Sequence, residues 1–258
     1  MLAKERKDNI LRKLDKNLTV SVKKLAKELK VTMETIRNDL DSIAESNQKI
    51  IRVHGGAYKI QPDAGTPYYK DFNDAKSIEE NQVISKLAVD QICNGDIIML
   101  DSSIKSLFIV KELIQRNIKA TIITNSLPSA TIVASAKDLN LFCLGGNLNV
   151  PTFSFKGNYT LQTLRNMHSD KAFLSPTAIS KDFGISHKDE FEAQIAKAMI
   201  DNSNKVFLVM QDSKFDKATL TRIGAISDID TIISYKQLSD KWIKVLKRNK
   251  VDSICSQI

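Results

Sequence analysis

Apolar positions in the first sixty residues recur at helical spacing, broken by short polar stops. Ile10, Leu11 and Leu14 form one stripe, and the helix they predict ends near Asn17. Val20-Ser21-Val22 reads as a short extended piece, with Ser21 placed to cap a second helix bearing Leu25, Ala26 and Leu29 on one face. Lys30-Val31 is a tight break, after which Thr32 caps a third helix with Ile36, Leu40 and Ile43 on its apolar side. Two short helices joined by such a turn predict a helix-turn-helix; Ala26 lets them approach closely and Val31 plugs the turn. Ile51 and Val53 then alternate with Arg52 and His54, the pattern of a half-buried strand, and Gly55-Gly56 permits a tight turn. Paired with Val20–Val22, this strand would form a small wing.

The pattern lapses from Tyr58 to Lys76, where Gln61-Pro62-Asp63-Ala64-Gly65-Thr66-Pro67 is rich in turn formers. This divides the chain into a winged helix-turn-helix head (1–57), a linker (58–76) and a body (77–258). The body alternates strand-like and helix-like pieces. Strands are expected at 96–100, 120–124, 139–144, 171–174, 205–210 and 231–234. Helices are expected around 84–92, 107–114, 130–136, 156–168, 189–201 and 238–248. Strands apolar on both faces, separated by helices, predict a Rossmann-like α/β domain with a largely parallel sheet.

Charge sharpens the division. Residues 1–60 hold 14 Lys and Arg against 8 Asp and Glu, while the remaining 198 hold 24 against 22. A basic head beside a near-neutral body points to a polyanion. The first sixty residues contain no Trp or Phe to seat on a membrane surface, so nucleic acid is the expected partner. No apolar run is long enough for a membrane span, and the N-terminus has no apolar secretion segment, which predicts a cytoplasmic protein. Cys93, Cys143 and Cys255, like His54, His168 and His187, are scattered without metal-ligand spacing. Neither a metal nor another cofactor is expected.

In a helix-turn-helix the start of the second helix enters the major groove. Thr32, Glu34, Thr35, Arg37 and Asn38 occupy that stretch, with Arg suited to guanine and Asn to adenine. Arg52, His54 and Gly55 of the wing complete the candidate DNA contacts. In the body, polar groups follow successive strands: Asp101-Ser102-Ser103 with Lys105, then Thr124-Asn125-Ser126, Gly145-Gly146, and Asp212-Ser213-Lys214. Open α/β sheets bind ligands beyond the carboxyl ends of their strands. Hydroxyls and free N–H groups at helix starts favour an anion, phosphate above all.

Leu25-Ala26, Val31, Thr35-Ile36-Arg37, Asp39-Leu40 and Arg52-Val53-His54-Gly55-Gly56-Ala57 resemble the winged helix-turn-helix of the DeoR family of repressors. The ordered polar groups of the body resemble that family's sensor domain, itself similar to ribose-5-phosphate isomerase. The chain departs from the family pattern in four places. Asn38 stands where a second Arg is usual, and Asn47-Gln48-Lys49 where Gly precedes the wing. Ile104-Lys105 replaces two Thr, and Leu174-Ser175-Pro176-Thr177 lies where Gly is common. By resemblance, Asp101, Ser102 and Ser103 form a phosphate-binding loop, and Asn125 and Lys214 line the rest of the pocket.

The resemblance implies a repressor of a sugar-metabolism operon, bound to a double-stranded DNA operator and released by a phosphorylated sugar. A homodimer or homotetramer is expected, because one helix-turn-helix buries little surface. An isomerase-like enzyme with an accessory head needs a positioned acid and base. Asp101, Asp212 and Glu190 offer carboxylates, but no pair stands out, so no catalytic residue is assigned. A sugar-phosphate-binding module acting through protein partners is the third class, and the Arg37 and Arg52-His54-Gly55-Gly56 pattern argues against it.

Overall fold

Short amphipathic helices cannot persist alone in water, so the head helices hold one another through their apolar faces. The computed structural model describes residues 3–17, 19–46, 50–53, 55–59 and 75–256. The chain divides into two units, Met1–Phe72 and Asn73–Ile258. In the first unit the order is α1 (Ala3–Asn17), β1 (Thr19–Ser21), α2 (Val22–Leu29), α3 (Met33–Ser46), β2 (Ile50–Val53) and β3 (Gly56–Lys59). Ile10 and Leu14 of α1, Leu25 and Ala26 of α2, and Ile36, Leu40 and Ile43 of α3 share one core with Ile50 and Ala57.

Local chemistry sets the breaks. Lys30 closes α2 in the left-handed conformation, and the Val31 N–H donates back to the Ala26 carbonyl at 3.1 Å. Ser21 occupies the N-cap of α2 without a side-chain cap bond. The wing differs from the expected two-strand pairing: β3 lies between β1 and β2 in an antiparallel sheet. Gly56 permits this order, since a Cβ there would lie 2.0 Å from the Val20 carbonyl oxygen. Tyr58 and Lys59, the first residues of the segment read as linker, belong to β3. The segment from 60 to 74 and the turn at 47–49 lie outside the described residues.

The second unit is built on a seven-stranded parallel sheet. Its elements begin with α4 (Ala75–Val89), β4 (Ile97–Leu100), α5 (Ile104–Gln115), β5 (Ala120–Thr124), α6 (Leu127–Val133) and β6 (Leu139–Cys143). A hairpin of β7 (Asn147–Asn149) and β8 (Ser154–Lys156) leads to α7 (Asn158–Arg165) and β9 (Ser169–Leu174). Then come β10 (Ala178–Ser180), β11 (Gly184–His187), α8 (Glu190–Asp201), β12 (Ser203–Met210), β13 (Thr221–Gly224), β14 (Thr231–Ser234), α9 (Asp240–Arg248) and β15 (Asp252–Cys255). The large sheet has the order β15-β14-β12-β9-β4-β5-β6, and every pairing in it is parallel.

Successive strand residues feed opposite faces, as the pleat requires. Ile98, Leu100, Phe173 and Phe207 pack with α4, α5 and α6, whereas Met99, Ala172, Leu174 and Leu208 pack with α7, α8 and α9. Phe173 and Phe207 stack at 4.8 Å between ring centres. The chain winds outward from β4 in one direction and from β9 in the other, so the topological switch point lies between these two neighbours. The short strands β7, β8, β10, β11, β13 and β15 were not expected; each has only three or four residues, too few to display a period of two.

One charged contact fixes the head. Asp39 is 5% exposed in the α3 face that meets α1, and its carboxylate accepts from Arg6 Nε and, at 3.1 Å, from Arg6 Nη2. Bonding to Asp39 raises the Arg6 pKa above its ordinary value. Removing the carboxylate leaves a guanidinium without its acceptor, and bonds to charged groups contribute about 1.5–3 kcal/mol. Asp39→Ala should therefore lower the melting temperature of the head transition in calorimetry of the full chain while leaving the body transition in place. An unchanged head transition would show that the contact contributes nothing.

Candidate functional site

The exposed half of α3 is the first candidate surface. Thr32 Oγ1 accepts from the Thr35 N–H at 3.1 Å, the cap expected from the sequence, and Thr35 Oγ1 lies 2.8 Å away. With Ile36, Leu40 and Ile43 turned inward, Met33, Glu34, Arg37 and Asn38 are exposed and Thr35 is half-buried. Arg37 Nη1 donates to Glu34 Oε2 at 2.9 Å. An exposed pair of this kind is worth only about 0–1 kcal/mol, so the guanidinium is readily surrendered to a stronger acceptor. Arg52 is engaged otherwise: Nε donates to Asp41 Oδ1 at 2.6 Å, and Nη1 to the carbonyls of Val53 and Gly56. It knits the wing to α3. Gly55 forms the β2–β3 turn at a φ of +92°, and its carbonyl accepts from Val22 N at 2.8 Å. His54 lies outside the described residues.

The second candidate site gathers at the switch point. Asp101 leaves β4 and accepts three hydrogen bonds: from Ser103 N at 3.0 Å, Ser106 Oγ at 2.6 Å and Ser175 N at 2.5 Å. Ser103 caps α5 by accepting from Ser106 N. Ser175 follows β9, and its Oγ accepts from Lys214 Nζ at 2.9 Å; Lys214 also donates to the Pro176 carbonyl at 2.8 Å. Lys214 belongs to a single 3-10 turn, Asp212–Lys214, that follows β12. The ends of β4, β9 and β12 are thus tied by one chain of polar contacts. Lys105, in the first turn of α5, is buried at 1% exposure.

The groups after β5 and β6 join through the β7–β8 hairpin. Thr124 Oγ1 accepts from Ser126 N, and Ser126 caps α6. Asn125 is fully buried; its Nδ2 donates to the Phe155 carbonyl at 3.0 Å, while its Oδ1 has no hydrogen-bond partner among the described residues. Gly145 and Gly146 meet α7, where Thr160 Oγ1 donates to the Gly145 carbonyl at 2.7 Å. The sequence groups therefore form two sets, one clasped around Asp101 and one around β8.

Glu192 bridges them, and sequence reasoning missed it. Its Oε2 accepts from Ser102 Oγ at 3.1 Å and its Oε1 from Ser154 Oγ at 2.5 Å. Burial drives its pKa upward, the charges of Asp101 and Asp189 push the same way, and the two serine bonds oppose them. The signal lay in the helix pattern: Glu192 precedes the buried Ile195, Ala196 and Met199 by three, four and seven residues, so a carboxylate sits in an apolar stripe. His187 was also missed. Its Nδ1 accepts from Asp189 N at 3.0 Å, and its pKa is lowered, chiefly by burial. Among the described residues no cluster of His, Cys, Asp or Glu could hold a metal, and no helix is long and apolar enough to cross a membrane.

Comparison with known proteins matches both units. A family model described as a DeoR-like helix-turn-helix domain covers residues 6–62, and one described as the DeoR C terminal sensor domain covers 76–236. The chain is similar to an uncharacterized HTH-type transcriptional regulator, YulB, of Bacillus subtilis (29% identity, 97% of this chain and 96% of that one). It is also similar to the glycerol-3-phosphate regulon repressor of Escherichia coli K12 (28%, 88% and 89%) and the lactose phosphotransferase system repressor of Lactococcus lactis (29%, 95% and 95%). Among solved structures, a ribose 5-phosphate isomerase from Methanocaldococcus jannaschii aligns at 15% identity and a TM-score of 0.38 over 52% of this chain and 53% of that one. With the sensor-domain model alone spanning more than half its length, the chain belongs to the DeoR family of helix-turn-helix regulators.

Proposed function

We propose that this protein is a transcriptional repressor of a sugar-metabolism operon, bound to double-stranded operator DNA and released by a phosphorylated sugar. The observation that carries the reading is the exposed start of α3, where Arg37 and Asn38 project from a helix whose other face is buried in the head core. Relatives named as repressors of the glycerol-3-phosphate regulon, the lactose phosphotransferase system and, putatively in name, the aga operon of Escherichia coli O157:H7 support it. Arg37, Asn38, Glu34, Thr35 and the cap Thr32 form the reading surface, while Arg52 and Gly55 hold the wing's shape and carry it to the DNA backbone.

The effector would lie at the switch point. The Ser102–Ser103 loop at the start of α5 and the ammonium of Lys214 suit a phosphate. The buried Oδ1 of Asn125 is an acceptor lacking a donor, which suits a sugar hydroxyl. Asp101 has both oxygens engaged by Ser103, Ser106 and Ser175, so it shapes the loop and does not serve as a base. The site is read as binding its effector without converting it. Release from DNA requires the effector to favour the DNA-incompetent state. A homodimer or homotetramer would present paired reading helices to two half-sites.

Two outcomes test the DNA reading. Operator affinity should fall with salt, by about 0.9 in log affinity per log salt for each phosphate contacted. Arg37→Ala should weaken operator binding by about 1–3 kcal/mol and relax specificity at one base pair. An equal loss on every sequence would make Arg37 a phosphate contact, and a flat salt response would reject the head as the DNA-binding unit.

A thermal-shift panel of phosphorylated trioses, pentoses and hexoses, each beside its free sugar, tests the effector. Ligand at a hundred times its dissociation constant stabilises the native state by about 2.7 kcal/mol. At roughly 2–4 °C per kcal/mol, the body transition should rise by several degrees. One phosphorylated member should act while its free sugar does nothing. Ser103→Ala and Lys214→Ala should shrink the shift and leave operator binding intact. A free sugar as effective as its phosphate would remove the phosphate from the reading.

A further inference from the structure

Ser102 has one hydroxyl proton to give, and in the structure it goes to Glu192 Oε2. Ser154 gives its own to Oε1 of the same carboxyl group, while its oxygen also lies 2.8 Å from Thr152 Oγ1. A carboxylate accepts both. With Glu192 ionised, Ser102 therefore turns only lone pairs toward the loop that opens α5, and lone pairs repel an anion. A protonated Glu192 can donate to Ser102 and still accept from Ser154. Ser102 would then accept on the Glu192 side and direct its proton toward the loop. We propose that Glu192 is a positioning residue of the anion cradle, which by taking up a proton turns the Ser102 hydroxyl from an acceptor into a donor toward a bound phosphate or sulfate. The proposal rests on the effector site described above and adds to it a proton linked to binding.

The surroundings of Glu192 favour such uptake. It is 8% exposed. The charges acting on it are Asp101, from the loop after β4, and Asp189, at the start of its own helix. Among the cations nearby, Lys156 of β8 pairs with Asp189 at 2.8 Å, Lys214 donates to Ser175 and Pro176, and Lys105, buried in the first turn of α5, makes an interaction of its own. His187 of β11 accepts from Asp189 N through Nδ1 and so presents Nε2–H in its neutral form. On the other elements packed against α8, Arg165 of α7, Lys205 of β12 and Arg222 of β13 are exposed. On β9, Lys171 is paired with Asp96, and Asp170 accepts from Ile97 N, both at the opposite end of the sheet. A bound anion adds a further negative charge beside Glu192 and raises its proton affinity. Binding is then fully present below the pKa of the free protein's Glu192 and is lost as pH rises through that of the complex.

Sulfate is the probe, because its charge does not change across the range used. Titration calorimetry of the full chain with sodium sulfate, at constant ionic strength between about pH 5 and 8, should show affinity falling with pH. The slope should approach about tenfold per pH unit, the limit for one linked proton. Glu192→Gln carries a permanent donor and acceptor at the same positions. It should bind sulfate with a flat pH profile and, at the alkaline end, several-fold more tightly than the wild type. His187→Asn, which keeps an acceptor for Asp189 N, should retain the wild-type slope. Glu192→Gln binding more weakly at every pH with the slope intact would reduce Glu192 to a structural tie and overturn the proposal, leaving the cradle standing. A slope lost in His187→Asn instead would assign the proton to His187 and overturn it equally. A wild type that binds no sulfate at any pH would overturn the cradle and this proposal together.

Discussion

The Asp101 carboxylate holds together the ends of strands that the topology drives apart. At the switch point the connections from β4 and β9 leave for opposite faces of the sheet, and the loops that follow would splay. Asp101 prevents this by accepting from Ser103 and Ser106 on the α5 side and from Ser175 on the β9 side. Ser175 in turn receives Lys214 from the end of β12. A partly buried carboxylate is costly unless its lone pairs are satisfied, and here the groups that satisfy it are the loops to be positioned. The arrangement of these loops thus follows from one charge seeking donors.

The head applies the same logic with an ion pair. Asp39 and Arg6 lock α1 onto the inner face of α3, beside Ile36, Leu40 and Ile43. Because orientation is settled from behind, the outer face need not contribute to it. Arg37 makes only an exposed contact with Glu34, which can be exchanged at little cost. Arg52 shows the opposite choice: bound to Asp41 and two wing carbonyls, it spends its donors on shape. Arginines with similar sequence standing therefore divide between holding the surface and forming it.

That division also marks how far the sequence could be read. The helices of the head, its cap at Thr32 and the parallel core strands were legible because their apolar spacing is strong and local. Asp101, Ser103 and Lys214 were expected just after strands, and the structure links them there through Ser175, Asp101 accepting from Ser103 and Ser175 and Lys214 donating to Ser175. The wing's strand order was not, since it depends on the close approach that Gly56 allows to the Val20 carbonyl, a contact between residues 36 positions apart. The hairpin β7–β8 was hidden by its brevity, and with it the route by which Asn125 and Ser154 join the site. Glu192 was hidden differently: its partners, Ser102 and Ser154, lie 90 and 38 residues away.

Glu192 also breaks a local rule in an informative way. Asp189 caps α8 by accepting from Glu192 N, and a glutamate at this third position commonly reaches back to the cap residue's own N–H. Here His187 Nδ1 takes that N–H instead. The glutamate is released from capping and turns inward, although burial beside Asp101 and Asp189 opposes its charge. Helix capping alone gives no reason for this, because the ordinary capping box would satisfy the same N–H and leave the carboxylate in water. What Glu192 gains instead is the hydroxyl of Ser102, in the loop proposed above to receive the effector. Departures from local preference that no local gain repays are expected where a fold serves binding, and this one lies at the switch point.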